Sequence, residues 1–98
     1  MIDTLLQWQR SGRLVDWQGH QVFMVDSADH EPAATTKPIL LLVHGYPTSS
    51  WDFHQLWQPL SALYRVIGAD LLGLGFSSKP RGHRYHIAEQ ADLIEWLL

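Results

Sequence analysis

Two short runs carry the residue types from which a site could be assembled. The first is His44-Gly45-Tyr46-Pro47, directly behind the apolar run Ile39-Leu40-Leu41-Leu42-Val43. Glycine lets a backbone turn sharply, and proline fixes its own φ and has no N–H, so this order predicts a tight turn that leaves the Tyr46 amide pointing away from the strand. Open α/β sheets bind ligands at the carboxyl ends of their strands. A free N–H there could stabilise negative charge developing on an oxygen by ~2.7 to 4 kcal/mol. Tyr46 is therefore the candidate catalytic residue through its backbone N–H, with His44, Gly45 and Pro47 supporting the turn. The rings of Tyr46 and Trp51 are candidate walls for a substrate. His44 is expected to hold the turn by hydrogen bonding, because no acid or hydroxyl partner is predicted beside it.

The second run is Asp70-Leu71-Leu72-Gly73-Leu74-Gly75-Phe76-Ser77. It is one glycine short of a dinucleotide fingerprint, and Lys79-Pro80 blocks the helix whose N-terminus would hold a pyrophosphate. Gly75-Phe76-Ser77-Ser78-Lys79 also falls one residue short of a nucleophile elbow, since Lys79 stands where a second small residue is needed. Ser77 is read as structural. Among the six histidines only His83 and His86 are close in sequence, and an i, i+3 pair without a third ligand makes a poor zinc site. No metal is expected.

The elements that must position these runs follow from periodicity. Leu5, Leu6 and Trp8 lie on a brief helix stopped by Ser11-Gly12. Residues 13–17 and 21–25 alternate apolar with polar side chains around Gln18-Gly19-His20, which predicts a hairpin. Ser27 to Lys37 reads as a polar exposed loop. Pro38 then opens the apolar run 39–43, expected to be a central strand buried on both faces. Ser49 is an N-cap candidate for an amphipathic helix bearing Phe53, Leu56, Trp57, Leu60 and Leu63. Residues 64–71 make a second buried strand, parallel to the first through a β-α-β crossover. Several glycines after Asp70 are expected at positive φ. A last helix begins near His86 with Ile87, Ala91, Ile94 and Leu98 on its apolar face.

Composition narrows the classes. The 98 residues are 46% hydrophobic and 17% charged, as in a globular core-former. The net charge of −3 with scattered Lys and Arg excludes the footprint of a nucleic-acid binder. There is no cysteine for a disulfide or thiolate metal site. No signal peptide is read at the N-terminus, and the longest apolar run of five residues is far short of the ~20 that span a bilayer. A cytoplasmic protein that acts on a small molecule, without nucleic acid or membrane, is expected. The oligomeric state stays open. The apolar stripe at Trp96-Leu97-Leu98 lacks a cap, so the chain is expected to be the N-terminal piece of a longer protein.

With the strand, the His44-to-Trp51 turn and the Asp70-to-Pro80 loop in place, residues 13 to 98 resemble the α/β-hydrolase superfamily. Within it they are most similar to the branch of epoxide hydrolases and haloalkane dehalogenases, with turn and loop wording like that of the mesoderm-specific transcript proteins. The resemblance implies the N-terminal half of an α/β-hydrolase fold, an incomplete α/β domain made of a hairpin, then a parallel β-α-β unit with a following helix. It places strands over 13–25, 39–43 and 65–71 and the first helix over 50–63. It implies that the Tyr46 N–H is one half of an oxyanion hole, the other half coming from the residue after a nucleophile. Nucleophile, acid and base would lie beyond Leu98, so these 98 residues alone are expected to be inactive. Dehalogenases of the branch often carry Asn in place of Tyr46, so an epoxide or ester-like apolar substrate is implied ahead of a halide.

Two functions stay open at this point. One is a cofactor-free hydrolase with an Asp or Ser nucleophile, a His base and an acid. The other is a non-catalytic module or pseudo-enzyme that binds a partner protein through its exposed sheet edge and terminal apolar stripe.

Overall fold

The computed structural model describes residues 2–98. Thr4 caps the first helix, α1 (Leu5–Ser11), by a reciprocal box: its hydroxyl accepts from the Gln7 N–H at 3.1 Å, and the Gln7 side chain accepts from the Thr4 N–H. Strands β1 (Arg13–Trp17) and β2 (His20–Asp26) form the expected hairpin. Its two-residue loop needs positive φ at both positions, and Gln18 (52°) and Gly19 (81°) supply it.

The remaining strands, β3 (Ile39–Val43) and β4 (Arg65–Ala69), pair in parallel, as a crossover through a helix requires. β4 also pairs antiparallel with β2, giving the sheet order β1-β2-β4-β3. The connecting segment is a 3₁₀ turn over Ser50–Phe53 followed by α2 (His54–Ser61). This is shorter than the expected helix over 50–63. Leu56 and Leu63 stay exposed, and Trp57 is the side chain that α2 buries. The last helix is α3 (Ile87–Leu97).

Alternation along β2 and β4 splits the core into two layers. Phe23, Val25 and Val66 pack with Trp8 of α1 and Trp57 of α2 on one face. Val22, Met24, Ile67 and Ala69 pack with Leu93 of α3 on the other. Helices on both faces explain why β2 is buried almost throughout.

Three expectations change. β3 is not a central strand buried on both faces: among the described residues it lies at the edge of the sheet beside β4 alone, and Ile39 and Val43 are about half exposed. The segment after β2 is not simply a polar loop, since it forms 3₁₀ turns over Ser27–Asp29 and Pro32–Thr36 and buries Ser27 and Ala34. α3 turns inward a different face, with Leu93 fully buried and Ile87 87% exposed. The cause is Gln90, whose amide accepts from the Leu72 N–H at 3.1 Å and donates to the Leu72 carbonyl at 2.9 Å. That pair of bonds rotates a polar residue toward the sheet.

Candidate functional site

The carboxyl ends of β3 and β4 lie side by side, since Val43 is paired with Ala69. His44 and Asp70 are therefore the first residues beyond two adjacent parallel strands. Both are buried. His44 Nε2 accepts from the Leu71 N–H at 3.0 Å, so Nδ1 carries the proton and donates to the Gly45 carbonyl at 2.8 Å. Both ring nitrogens are occupied by backbone, and the ring ties the two strand ends together.

The Gly45 carbonyl also accepts from the Thr48 N–H at 3.1 Å and lies 2.9 Å from the Thr48 hydroxyl. The single hydroxyl proton is shared with the Asp52 carboxylate at 2.5 Å. Such a clamp fixes the peptide plane between Gly45 and Tyr46. That peptide is trans, so its N–H points opposite to its C=O. Donors that hold the Gly45 oxygen inward thus aim the Tyr46 N–H outward. Among the described residues it donates to no protein acceptor. The following bond, Tyr46–Pro47, is cis. The Tyr46 ring is 87% exposed beside this donor.

Gly45 itself corrects an expectation. Its φ lies outside the positive region and an added Cβ would meet nothing within 4 Å, so the turn does not demand glycine for its own geometry. Within the Asp70 run, Gly73 and Gly75 do, at φ of 87° and 54°. An added Cβ on Gly75 would collide with the Asp70 carboxylate.

Asp70 organises the loop beneath the turn. Its Oδ1 accepts from the Ser50 N–H at 2.8 Å and the Ser50 hydroxyl at 2.6 Å, and its Oδ2 accepts from the Phe76 N–H at 2.7 Å. Its carbonyl accepts from the Ser77 hydroxyl at 2.6 Å, whose oxygen in turn accepts from the Phe23 N–H at 2.9 Å. Ser77 is therefore spent on β2 and β4, with no free hydroxyl to act as a nucleophile. The sequence singled out the Asp70 run but gave Asp70 and Ser50 no role. The signal was an acid at the end of an apolar strand, which must find donors once buried.

Trp51 is half-buried. Its ring stacks on His54 with centroids 3.5 Å apart and meets Trp8 edge-on at 6.4 Å, within the layer that holds α2. His83 does not meet His86. It bonds Glu89 at 2.6 Å and lies against the rings of His20 and Tyr85. Among the described residues no cluster of three or more His, Asp or Glu is placed to hold a metal ion. No helix among them is long and apolar enough to cross a membrane.

At the other end of the sheet, Asp26 receives two bonds from Arg65, at 3.1 and 2.6 Å. Burial pushes the Asp26 carboxyl up, but the Arg65 side chain, the Ala28 N–H and the charges of Arg65 and Arg13 together hold it below the usual value. The same pairing raises Arg65.

These features coincide with known proteins. The family model described as alpha/beta hydrolase fold matches residues 38–98, more than half of the chain. The mesoderm-specific transcript protein of Mus musculus is 42% identical over 96 residues, which cover 97% of this chain and 28% of that protein. A putative hydrolase, LipZ, of Mycobacterium tuberculosis is 40% identical over 92 residues, covering 94% of this chain and 30% of the relative. Among solved structures, haloalkane dehalogenase DbeA from Bradyrhizobium elkani superposes with a TM-score of 0.73 at 27% identity, over 89% of this chain and 29% of that one. The chain belongs to the α/β-hydrolase fold family. It spans less than a third of the length of these relatives.

Proposed function

We propose that the complete protein is a cofactor-free hydrolase of a small apolar substrate, an epoxide or an ester, working through a covalent intermediate. In this reading the Tyr46 N–H supplies one half of the oxyanion hole, and the exposed Tyr46 ring meets the substrate. The observation that carries it is the aimed amide: a donor with no acceptor among the described residues, held by its own peptide plane at the carboxyl end of two parallel strands. A nucleophile, acid and base are required from outside the 98 residues. The family's hydrolase relatives support the reaction class.

The test uses the product of the complete reading frame. It is mixed with p-nitrophenyl butyrate or with styrene oxide, quenched in acid and digested for mass spectrometry. The expected result is an acyl or alkyl adduct on one Ser or Asp peptide, with turnover above background. A folded protein that neither turns over nor labels on either substrate defeats the hydrolase reading and leaves a binding module.

A further inference from the structure

The hydrogen bonds around Asp70 continue in both directions, and they join α1 to the turn. The Trp8 indole N–H donates to the Ser50 hydroxyl oxygen at 3.0 Å, and that hydroxyl donates to Asp70 Oδ1 at 2.6 Å. The peptide that leaves Asp70 carries the Leu71 N–H, which is held by His44 Nε2 at 3.0 Å. His44 Nδ1–H then holds the Gly45 carbonyl at 2.8 Å, on the peptide whose other side is the Tyr46 N–H. Trp8, Ser50, Asp70 and His44 are all buried, so water does not compete for these contacts. α1 lies outside the residues matched by the family model, yet it supplies the first donor of the series.

We propose that Trp8, Ser50 and Asp70 are positioning residues for the Tyr46 donor, which makes α1 part of the support of the site. The proposal rests on the hydrolase reading for its kinetic consequence and on the geometry alone for its structural one. Each acceptor in the series receives from a donor on a different element: α1, the 3₁₀ turn, the strand end and the glycine loop. A shift at one end is passed on as a rotation of the Gly45–Tyr46 peptide, because buried donors move to keep their acceptors. Asp70 is the junction. Its Oδ2 fixes the Phe76 N–H while its Oδ1 fixes Ser50, so the loop and the turn share one anchor.

The experiment compares two tryptophan variants of the complete protein. Trp8→Phe keeps an aromatic ring and loses the N–H. Trp57→Phe disturbs the same layer, since the two indoles meet edge-on at 5.1 Å, but the Trp57 indole takes no part in the series. The readouts are kcat and KM on p-nitrophenyl butyrate, the thermal midpoint, and the Tyr46 amide resonance in 15N-tyrosine-labelled protein, assigned by its loss in Tyr46→Phe. Both variants are expected to lower the midpoint. Trp8→Phe alone should move the Tyr46 resonance and lower kcat about ten-fold, an effect of mispositioning. Its KM should stay within about two-fold, because the loss falls on the transition state. Ser50→Ala should act in the same direction. If Trp8→Phe moves the midpoint but leaves the Tyr46 resonance where Trp57→Phe leaves it, α1 is only packing and the proposal is overturned. If the wild type hydrolyses neither probe, the hydrolase reading fails while the resonance comparison still decides the positioning. Should Ser50→Ala not fold, Trp8→Phe against Trp57→Phe carries the decision.

Discussion

Two aspartates are buried at opposite ends of the same sheet, and they are held in different ways. Asp26, at the end of β2 and paired with Ile67 of β4, faces a cation from the start of that strand, with two bonds from Arg65. Asp70, at the end of β4, is paired with no cation among the described residues and is met by the Ser50 N–H, the Ser50 hydroxyl and the Phe76 N–H. The guanidinium meets the Asp26 carboxylate on both oxygens and the Ala28 N–H adds a third donor at 3.0 Å, so this carboxylate is both oriented and charge-paired. Asp70 is oriented by three neutral donors from two segments instead. The two ends therefore differ in charge: one carboxylate is held by a cation, the other by uncharged groups.

The contrast is most easily broken at Asp70. Asp70→Ala would leave three buried donors without an acceptor, and a loss of about 3 kcal/mol or more in urea unfolding is expected. Asp70→Asn should recover only part of it, because its NH₂ would oppose either the Phe76 N–H or the donors of Ser50.

Gly75→Ala is expected to cost about 2 kcal/mol, since it forces positive φ on alanine and presses a methyl against the Asp70 carboxylate. Urea unfolding of this variant sharpens the comparison, because an added Cβ on Gly75 meets the Asp70 carboxylate itself, whereas one on Gly12, near the Asp26 end, would meet Phe23 and the Met24 carbonyl.

The Asp26 end makes a prediction about pH. Its folded pKa lies below the unfolded one, so its contribution is fully present above the unfolded value of about 3.9 and is lost as pH falls through the folded value. Arg65→Met should cost about 1.5 to 3 kcal/mol near neutral pH, as charged hydrogen bonds do. The gap between variant and wild type should shrink on acidification, as followed by thermal midpoints from pH 7 down to 3. A gap that does not change with pH would show the pair contributes through packing alone.

The smallest expected effect is at the exposed ring. Tyr46→Ala should change stability by less than about 0.5 kcal/mol, because the side chain touches almost nothing in the chain. Under the hydrolase reading it should raise KM for apolar substrates and leave the backbone donor in place.

Much of the fold was legible because it is written in periodicity. The hairpin, the parallel pair and the crossover follow from apolar spacing and from the Gln18-Gly19-His20 break, of which His20 in fact joins β2. The misread face of α3 shows the limit: counting apolar residues favours Ile87, whereas the bonds from Gln90 to Leu72 decide the rotation. β3 was misjudged for a related reason. Five apolar residues announce burial but not how many neighbouring strands a given stretch of chain supplies.

The turn at His44 was legible as a type of local structure, with its donor, from four residues. The network through Trp8, Ser50 and Asp70 was not, because its members are 20 and 42 positions apart and no local pattern links them.

The central claim is that the Tyr46 N–H is aimed at the place where a substrate oxygen acquires charge. It is tested most directly by a crystal structure of the complete protein, freeze-trapped during turnover of a slowly hydrolysed ester. The account predicts the Tyr46 nitrogen about 2.7 to 3.1 Å from the substrate oxygen that bears the charge, with the Gly45 carbonyl still held by His44. A bound intermediate whose oxygen is held by other groups, with the Tyr46 N–H turned elsewhere, would contradict it.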